Sequence, residues 1–237
     1  MGFPKEYREH PTAQKLYIWG MRRVGNHAIT EWIAQHFGKT IHNNDIQYEK
    51  PWYVREYGEG DIIDLQIDSF EDFAPPITEK PGRGSYLPGK DTIFLLRDWY
   101  NVCASRSISG RGFQNSCRYP GNSEYIRPCD EVYLEYCKLW EKYPDNFILY
   151  NKWATDENYE IEIEERYGWK RSPRINEMPK SGIGGGSSFN VELNTEAVNE
   201  RYLNIKWRNS HEWKLIIGND EINSYNESIF GMNGKEL

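Results

Sequence analysis

No run of about 18 consecutive apolar residues occurs in this chain, so it offers no segment suited to crossing a bilayer. The opening residues, MGFPKEYREHPT, contain no apolar core of a signal peptide, and Glu6 stands where an N-myristoylation signal needs Ser or Thr. The expectation is a soluble, unprocessed, unanchored cytoplasmic protein with no membrane partner. A basic surplus is missing too. Lys and Arg number 29 against 36 Asp and Glu, for a net charge of −7 and a pI near 5.4. That balance argues against a nucleic-acid partner but leaves room for a local basic pocket. Cysteine is scarce: Cys103, Cys117, Cys129 and Cys137 form no CxxC pair, so the usual zinc spacing is absent and no metal is expected. Cys117 and Cys129 flank a Tyr/Pro/Gly/Asn/Ser-rich loop and could bridge, although reduced thiols are the default in a cytosolic protein.

What is abundant is aromatic. Nine Trp and seventeen Tyr suit a core that has modest aliphatic content. With 237 residues the chain can bury a substantial core, and neither a repeat nor a linker divides it. Strand-like apolar runs at residues 16–19, 61–67, 92–96 and 147–150 alternate with helical patterns at 26–37, 99–107, 130–143 and 155–167. Such alternation implies a three-layer α/β fold: a central, mostly parallel sheet flanked by helices, in one domain over residues 1–237. Residues 75–90 read as an extended loop, and 106–128 as either a substrate-facing lid or a disordered segment. Toward the end, residues 190–237 carry helices: one over 195–207, and another starting at Ser210 with Trp213, Leu215 and Ile216.

The densest chemistry lies in LYIWGMRRVGNHAITEW. An apolar run meets a glycine-bracketed loop, Gly20 to Gly25, and a helical pattern with Ala28, Ile29, Trp32 and Ile33 on one face follows. Strand, tight loop and helix N-terminus converge backbone N–H groups and the positive end of the helix dipole on one point, where Arg22 and Arg23 add charge. The glycine spacing is that of a nucleotide P-loop, yet Asn26-His27 stands where Lys-Ser/Thr would be. Without the lysine and the metal-holding hydroxyl, Mg²⁺-dependent γ-phosphate chemistry loses two of its supports.

A second anion site is written in TIFLLRDWYNVCASR. The buried strand ends at Arg97, Asp98 is a natural N-cap, and Ser105 lies eight residues past Arg97, about two turns into the next helix. A planar guanidinium and a helical hydroxyl can reach one phosphate from two sides. The bland alternative is a surface Arg97–Asp98 pair with Ser105 as helix filler.

Together, RRVGNH and LLRDWYNVCASR resemble the two cofactor signatures of sulfotransferases that use 3′-phosphoadenosine-5′-phosphosulfate (PAPS). The resemblance implies a P-loop-like fold that binds PAPS as donor and releases adenosine 3′,5′-bisphosphate. It places Arg22, Arg23, Val24, Gly25, Asn26 and His27 on the 5′-phosphosulfate loop, and Arg97 and Ser105 on the 3′-phosphate. FILYNKW is similar to a family strand ending in Tyr-Glu-Asp, which sets Tyr150 near the nucleotide, with Asn151 and Lys152 replacing the acidic pair. PKSGIGGGSSF, residues 179–189, resembles the late glycine-rich segment that closes over the 3′-phosphate. There Gly184, Gly185 and Gly186 admit close backbone approach, and Lys180, Ser187 and Ser188 supply charge and donors; a plain Gly/Ser linker is the other reading.

What the resemblance implies chemically is metal-independent, in-line sulfuryl transfer to a hydroxyl or amine. Arg23 stabilises the leaving phosphate and His27 assists beside it, while the base is Glu71, His42 or His27, with Asp72 and Asp45 as weaker acids nearby. A degenerate P-loop phosphotransferase or NTPase, and a non-catalytic nucleotide-binding module of the same fold, are the competing classes. The acceptor is a small molecule, a carbohydrate or a tyrosine peptide. Arg111, Arg118 and Arg127 would suit an anionic glycan or acidic peptide, and Phe113, Tyr119 and Tyr125 a sugar or phenol.

Overall fold

The computed structural model describes residues 12–43, 46–47, 50–51, 62–72, 88–108, 117–119, 122–171 and 211–236. Its centre is a five-stranded, all-parallel sheet, so the chain has the expected α/β architecture. In chain order the elements are β1 (Gln14–Gly20), α1 (Asn26–Ala34), β2 (Thr40–Asn43), the short pair β3 (Ile46–Gln47) and β4 (Lys50–Pro51), β5 (Leu65–Glu71), β6 (Thr92–Leu96), α2 (Trp99–Ile108), β7 (Cys117–Tyr119), β8 (Asn122–Arg127), α3 (Cys129–Lys142), a 3₁₀ turn (Pro144–Asn146), β9 (Phe147–Leu149), α4 (Tyr150–Thr155), α5 (Glu157–Tyr167), α6 (His211–Ile217) and α7 (Asp220–Phe230).

The sheet order is β2-β5-β1-β6-β9. After β1 the chain moves toward β2 at one edge; after β6 it moves toward β9 at the other. The direction of winding therefore reverses between neighbours β1 and β6, the arrangement that in open α/β sheets leaves a ligand-collecting crevice outside the carboxyl ends of the strands. Right-handed crossovers to opposite edges put α1 on one face and the α2–α3 segment on the other. Ring contacts agree: Trp32 of α1 lies 5.9 Å from Trp153 of α4, while Tyr136 of α3 lies 6.4 Å from Phe94 of β6. One continuous core runs through Ile18, Trp32, Ile67, Phe94, Leu95, Tyr136 and Phe147.

β6 matches its expected bounds because four successive buried apolar residues after a buried Thr92 are unambiguous. Other elements differ, each for a physical reason. The second strand begins at Leu65, since Ile62 is exposed and the Asp64 carboxylate is committed to the Lys39 N–H at 2.8 Å. It continues to Glu71 because its buried polar side chains are paired, Asn43 Nδ2 of β2 donating to Asp68 Oδ1 at 2.7 Å and Gln66 Nε2 donating to the same carboxylate at 3.1 Å. The helix expected over 155–167 is α5 and starts at Glu157, behind the short α4, to which Thr155 belongs. Asp156 adopts extended backbone and its carboxylate caps α5, accepting from Asn158 N–H at 2.9 Å. Within 106–128, residues 106–108 complete α2, and Cys117–Tyr119 and Asn122–Arg127 form the antiparallel β7–β8 pair. The helix expected near Ser210 is present as α6, whereas the one over 195–207 lies outside the described residues.

Asparagines of α7 fix the C-terminal helices to the front of α2. Asn226 Oδ1 accepts the Trp99 N–H at 2.8 Å, and Asn223 Oδ1 accepts the Tyr100 hydroxyl at 2.6 Å. Asp98 caps α2 as expected, its Oδ1 accepting from Asn101 N–H at 2.8 Å. All four cysteines are buried free thiols, with the Cys117 and Cys129 sulfurs 3.1 Å apart. Among the described residues, no helix is long and apolar enough to cross a membrane.

Candidate active site at the switch point

The loop after β1 turns because both of its ends are glycine. A Cβ on Gly20 would meet Asn26 Oδ1 and Val24 Cγ2 at 2.9 Å, and Gly25 takes φ +99°, open to glycine at little cost. Met21 and Val24 are buried while Arg22 and Arg23 are half-buried, so apolar anchors pull the loop inward between cationic side chains. Arg23 itself sits at φ 76°. Left-handed residues at 23 and 25 curl the backbone into a concave array of N–H groups that suits an anion. Gly25 begins α1 without any side-chain cap, and α1 carries no acid in its first turn. The amides at that helix start thus meet no side-chain acceptor from their own N-cap.

Arg97 reaches this loop from β6. Its Nη1 donates to the Arg23 carbonyl at 3.2 Å, and its guanidinium lies 4.8 Å from the Tyr150 ring centroid. Tyr150, at the carboxyl end of β9, in turn packs directly against Gly25. Arg97 is 1% exposed, and that burial lowers its pKa, against opposing pushes from Tyr150 and Asp98. Arg97 and Asp98 are therefore not a surface pair. Asp98 accepts at Oδ2 from Asn101 Nδ2 and Asn151 Nδ2, both at 2.8 Å, while Asn151 Oδ1 accepts the Asp98 N–H at 3.1 Å. Asparagine at 151 now has a reason: its amide donates to one acid and accepts from the same residue, which a carboxylate could not do. Ser105 is fully buried two turns into α2.

The proposed proton acceptors gather on the α1 side of the sheet. Glu71 accepts from Asn26 Nδ2 at 2.8 Å and lies 3.5 Å from Arg22 Nε. His42, on β2, has its Nε2 3.0 Å from Ser69 Oγ, and its ring centroid is 6.2 Å from that of His27 at the start of α1. Asp72 is not a solvated acid but a buried one, held by Arg106. The site thus brings together Arg22, Arg23, Gly25, Asn26, Glu71, Arg97 and Tyr150, with His27 and His42 beside them. Lys180, Gly184, Gly185, Gly186, Ser187 and Ser188 lie outside the described residues.

No protein-family model, curated protein or solved structure matches this chain. The pairing of Asp72 with Arg106 and the role of Ser69 escape motif reading. Arg106 follows Ser105 directly, and Asp72 follows Glu71, but nothing local ties one to the other across 34 positions. Ser69 is hidden in a strand whose polar residues mask its period.

Proposed function

We propose that this protein binds the adenosine 3′,5′-bisphosphate moiety of PAPS across the β1–β6 crevice and transfers its sulfuryl group to a hydroxyl or amine. The observation that carries this reading is the Arg97–Arg23 contact. A strand-end guanidinium and a concave, glycine-hinged loop meet at the switch point, so one nucleotide with a phosphate at each end can engage both. The resemblance of the two segments to PAPS-binding signatures points the same way. An anion beside Arg97 would offset the burial that now disfavours its charge.

In the transfer, the acceptor oxygen attacks sulfur opposite the bridging phosphate oxygen. The new S–O bond forms as the old one breaks, the acceptor proton passes to a protein base, and the bisphosphate leaves with the electron pair. Within the Gly20–Asn26 loop the Arg22 and Val24 N–H groups are already bonded, so the backbone N–H groups at the start of α1 and Arg23 meet the charge that develops on the leaving phosphate. Glu71 already holds Asn26 and Arg22 in place. Proton removal therefore falls to the imidazoles, with His42 oriented by Ser69.

Titration calorimetry in metal-free buffer tests the reading. Adenosine 3′,5′-bisphosphate should bind with micromolar affinity, and Arg97→Ala, checked for folding by thermal melting, should weaken it at least about tenfold through loss of a charge-assisted contact. Absence of binding, or an unchanged affinity in a folded Arg97→Ala protein, would overturn it. Labelled-sulfate transfer to panels of sugars, phenols and tyrosine peptides then identifies the acceptor. Mg²⁺-dependent ATP or GTP turnover would favour a phosphotransferase instead.

A further inference from the structure

One polar assembly beside the crevice is not explained by contact with a nucleotide. Asp72, just past β5, is 4% exposed and sits at φ 62°, a left-handed conformation that a non-glycine residue adopts only when its surroundings hold it there. Its N–H donates to the Gly20 carbonyl at 3.0 Å, and its Oδ1 accepts the Arg22 N–H at 2.8 Å. One residue thus grips the loop at its first and third positions. The same carboxylate receives a fork from Arg106, Nη1 to Oδ1 at 2.8 Å and Nη2 to Oδ2 at 3.3 Å. Arg106 is 7% exposed, and although burial alone would lower its pKa, Asp72 holds it above its ordinary value.

We infer that the Asp72–Arg106 pair is a positioning strut for the anion loop, and that it couples the two halves of the nucleotide site. Arg106 is the residue after Ser105 on α2, so the helix proposed to meet the 3′-phosphate is tied through Asp72 to the loop proposed to meet the 5′ end. Only arginine supplies a planar two-pronged donor; lysine at 106 keeps the charge and loses the fork. The geometry fixes Arg22 N–H toward Asp72, which sets where the following amides of the loop point. Neither residue need touch the ligand. The inference rests on the nucleotide reading for its ligand, but not for the mechanical claim that the pair holds the loop.

The test uses the full chain and the double variant Asp72→Asn/Arg106→Gln, which removes both charges together and so leaves no lone buried ion. Asparagine tolerates the left-handed conformation and still offers an oxygen to Arg22. Arg106→Lys serves as the milder second variant. Amide hydrogen exchange on the free protein should speed up about tenfold or more in the peptide covering residues 20–27, while β6 and α3 stay protected as in the parent. In calorimetry, adenosine 3′,5′-bisphosphate should weaken about tenfold or more while adenosine 3′-monophosphate changes less than about twofold, since only the 5′ cradle is loosened. Unchanged exchange at 20–27 would overturn the strut. So would a uniform rise in exchange with equal losses for both nucleotides, the mark of a merely structural role. If the parent protein binds neither nucleotide while the loop still loosens in the variant, the strut stands and the PAPS reading falls.

Discussion

Gly25→Ala should damage the fold and the candidate site together, and the cost can be worked from the contacts around that residue. A Cβ at position 25 would lie 2.1 Å from Cδ2 and Cε2 of Tyr150 and 3.0 Å from its Cγ. The ring has little room to retreat. It is 3% exposed, faces Arg97 at 4.8 Å and lies 5.7 Å from the Trp153 ring. Two terms add. Alanine at φ +99° costs about 1–2 kcal/mol in backbone strain. Forcing the packed ring aside costs about 1–3 kcal/mol more. A sum near 3 kcal/mol should lower the melting temperature by about 6–12 °C for a chain of this size. Thermal melts on a double-mutant cycle with Tyr150→Leu separate the terms. In the leucine background Gly25→Ala should cost only the backbone part, leaving a coupling of about 1–3 kcal/mol. Equal costs in both backgrounds would show that Tyr150 does not rest on Gly25, and would leave the Arg97 bond to the Arg23 carbonyl as the tie from β6 to the loop.

Asn151→Asp should destabilise the protein by about 2–4 kcal/mol at neutral pH, because a carboxylate would replace the amide that donates to buried Asp98 at 2.8 Å. The crowded acids share a proton more readily when folded, so urea unfolding against wild type should show the deficit shrinking as pH falls toward about 5; a deficit that does not change with pH would refute the contact. Burial pushes the Tyr100 phenol up to about 12 from an ordinary value of 10.0. The raised value means its contribution is complete below pH 10 and drains away between about 10 and 12, roughly 2–3 kcal/mol in all. Tyr100→Phe should flatten that alkaline loss in denaturant titrations, and an identical slope would count against it. Cys117 and Cys129, with sulfurs 3.1 Å apart, should join in one intramolecular disulfide when treated with diamide, slowly because the hydrogen bond to Cys129, together with burial, raises the Cys117 thiol. Independent alkylation of both thiols after unfolding the diamide-treated protein would contradict their proximity.

Local pattern carried much of this fold. A run such as TIFLL can only be a buried strand, and Asp98 before Trp99 announces a helix start in any context. The loop after β1 was equally plain, since glycines at 20 and 25 bracket the turn between an apolar strand and an amphipathic helix. β2 was invisible because TIHN has no apolar period; it is a strand only because its Asn43 meets Asp68 of β5. The shift of β5 has the same cause, as Gln66, Asp68 and Ser69 look like loop until their partners are known. Asp156 hid within a helical period and was read as part of the helix it caps. Interactions between distant segments left no trace at all. Asn151 looked like a defect in an acidic motif and proves to be the partner of Asp98, 53 residues away.

Where the described backbone departs from ordinary conformations outside glycine, it does so around one loop. Among the described residues, the non-glycine residues with positive φ are Arg23 and Asp72, and both border the loop after β1. Each costs about 1–2 kcal/mol relative to a relaxed conformation, an expense a fold does not sustain at random. Buried ions gather near the same loop, although Asp68 in β5 and Glu160 and Glu164 on α5 are buried too. Asp72, Arg97 and Asp98, each 4% exposed or less, lie just beyond the carboxyl ends of β5 and β6, and Arg106 of α2, 7% exposed, reaches Asp72 there. Burying charge there opposes stability unless every group is tied, and the ties run from one segment to the next: Arg97 to the loop carbonyl, Arg106 to Asp72, Asp72 to the loop amide, Asp98 to Asn151. A sheet of this size could be stabilised by apolar residues at those positions, as it is along the rest of β6. Strain and buried charge converging on the topological switch point are what a preorganised anion site requires, because amides and guanidinium groups already fixed in place need no rearrangement when the charge arrives.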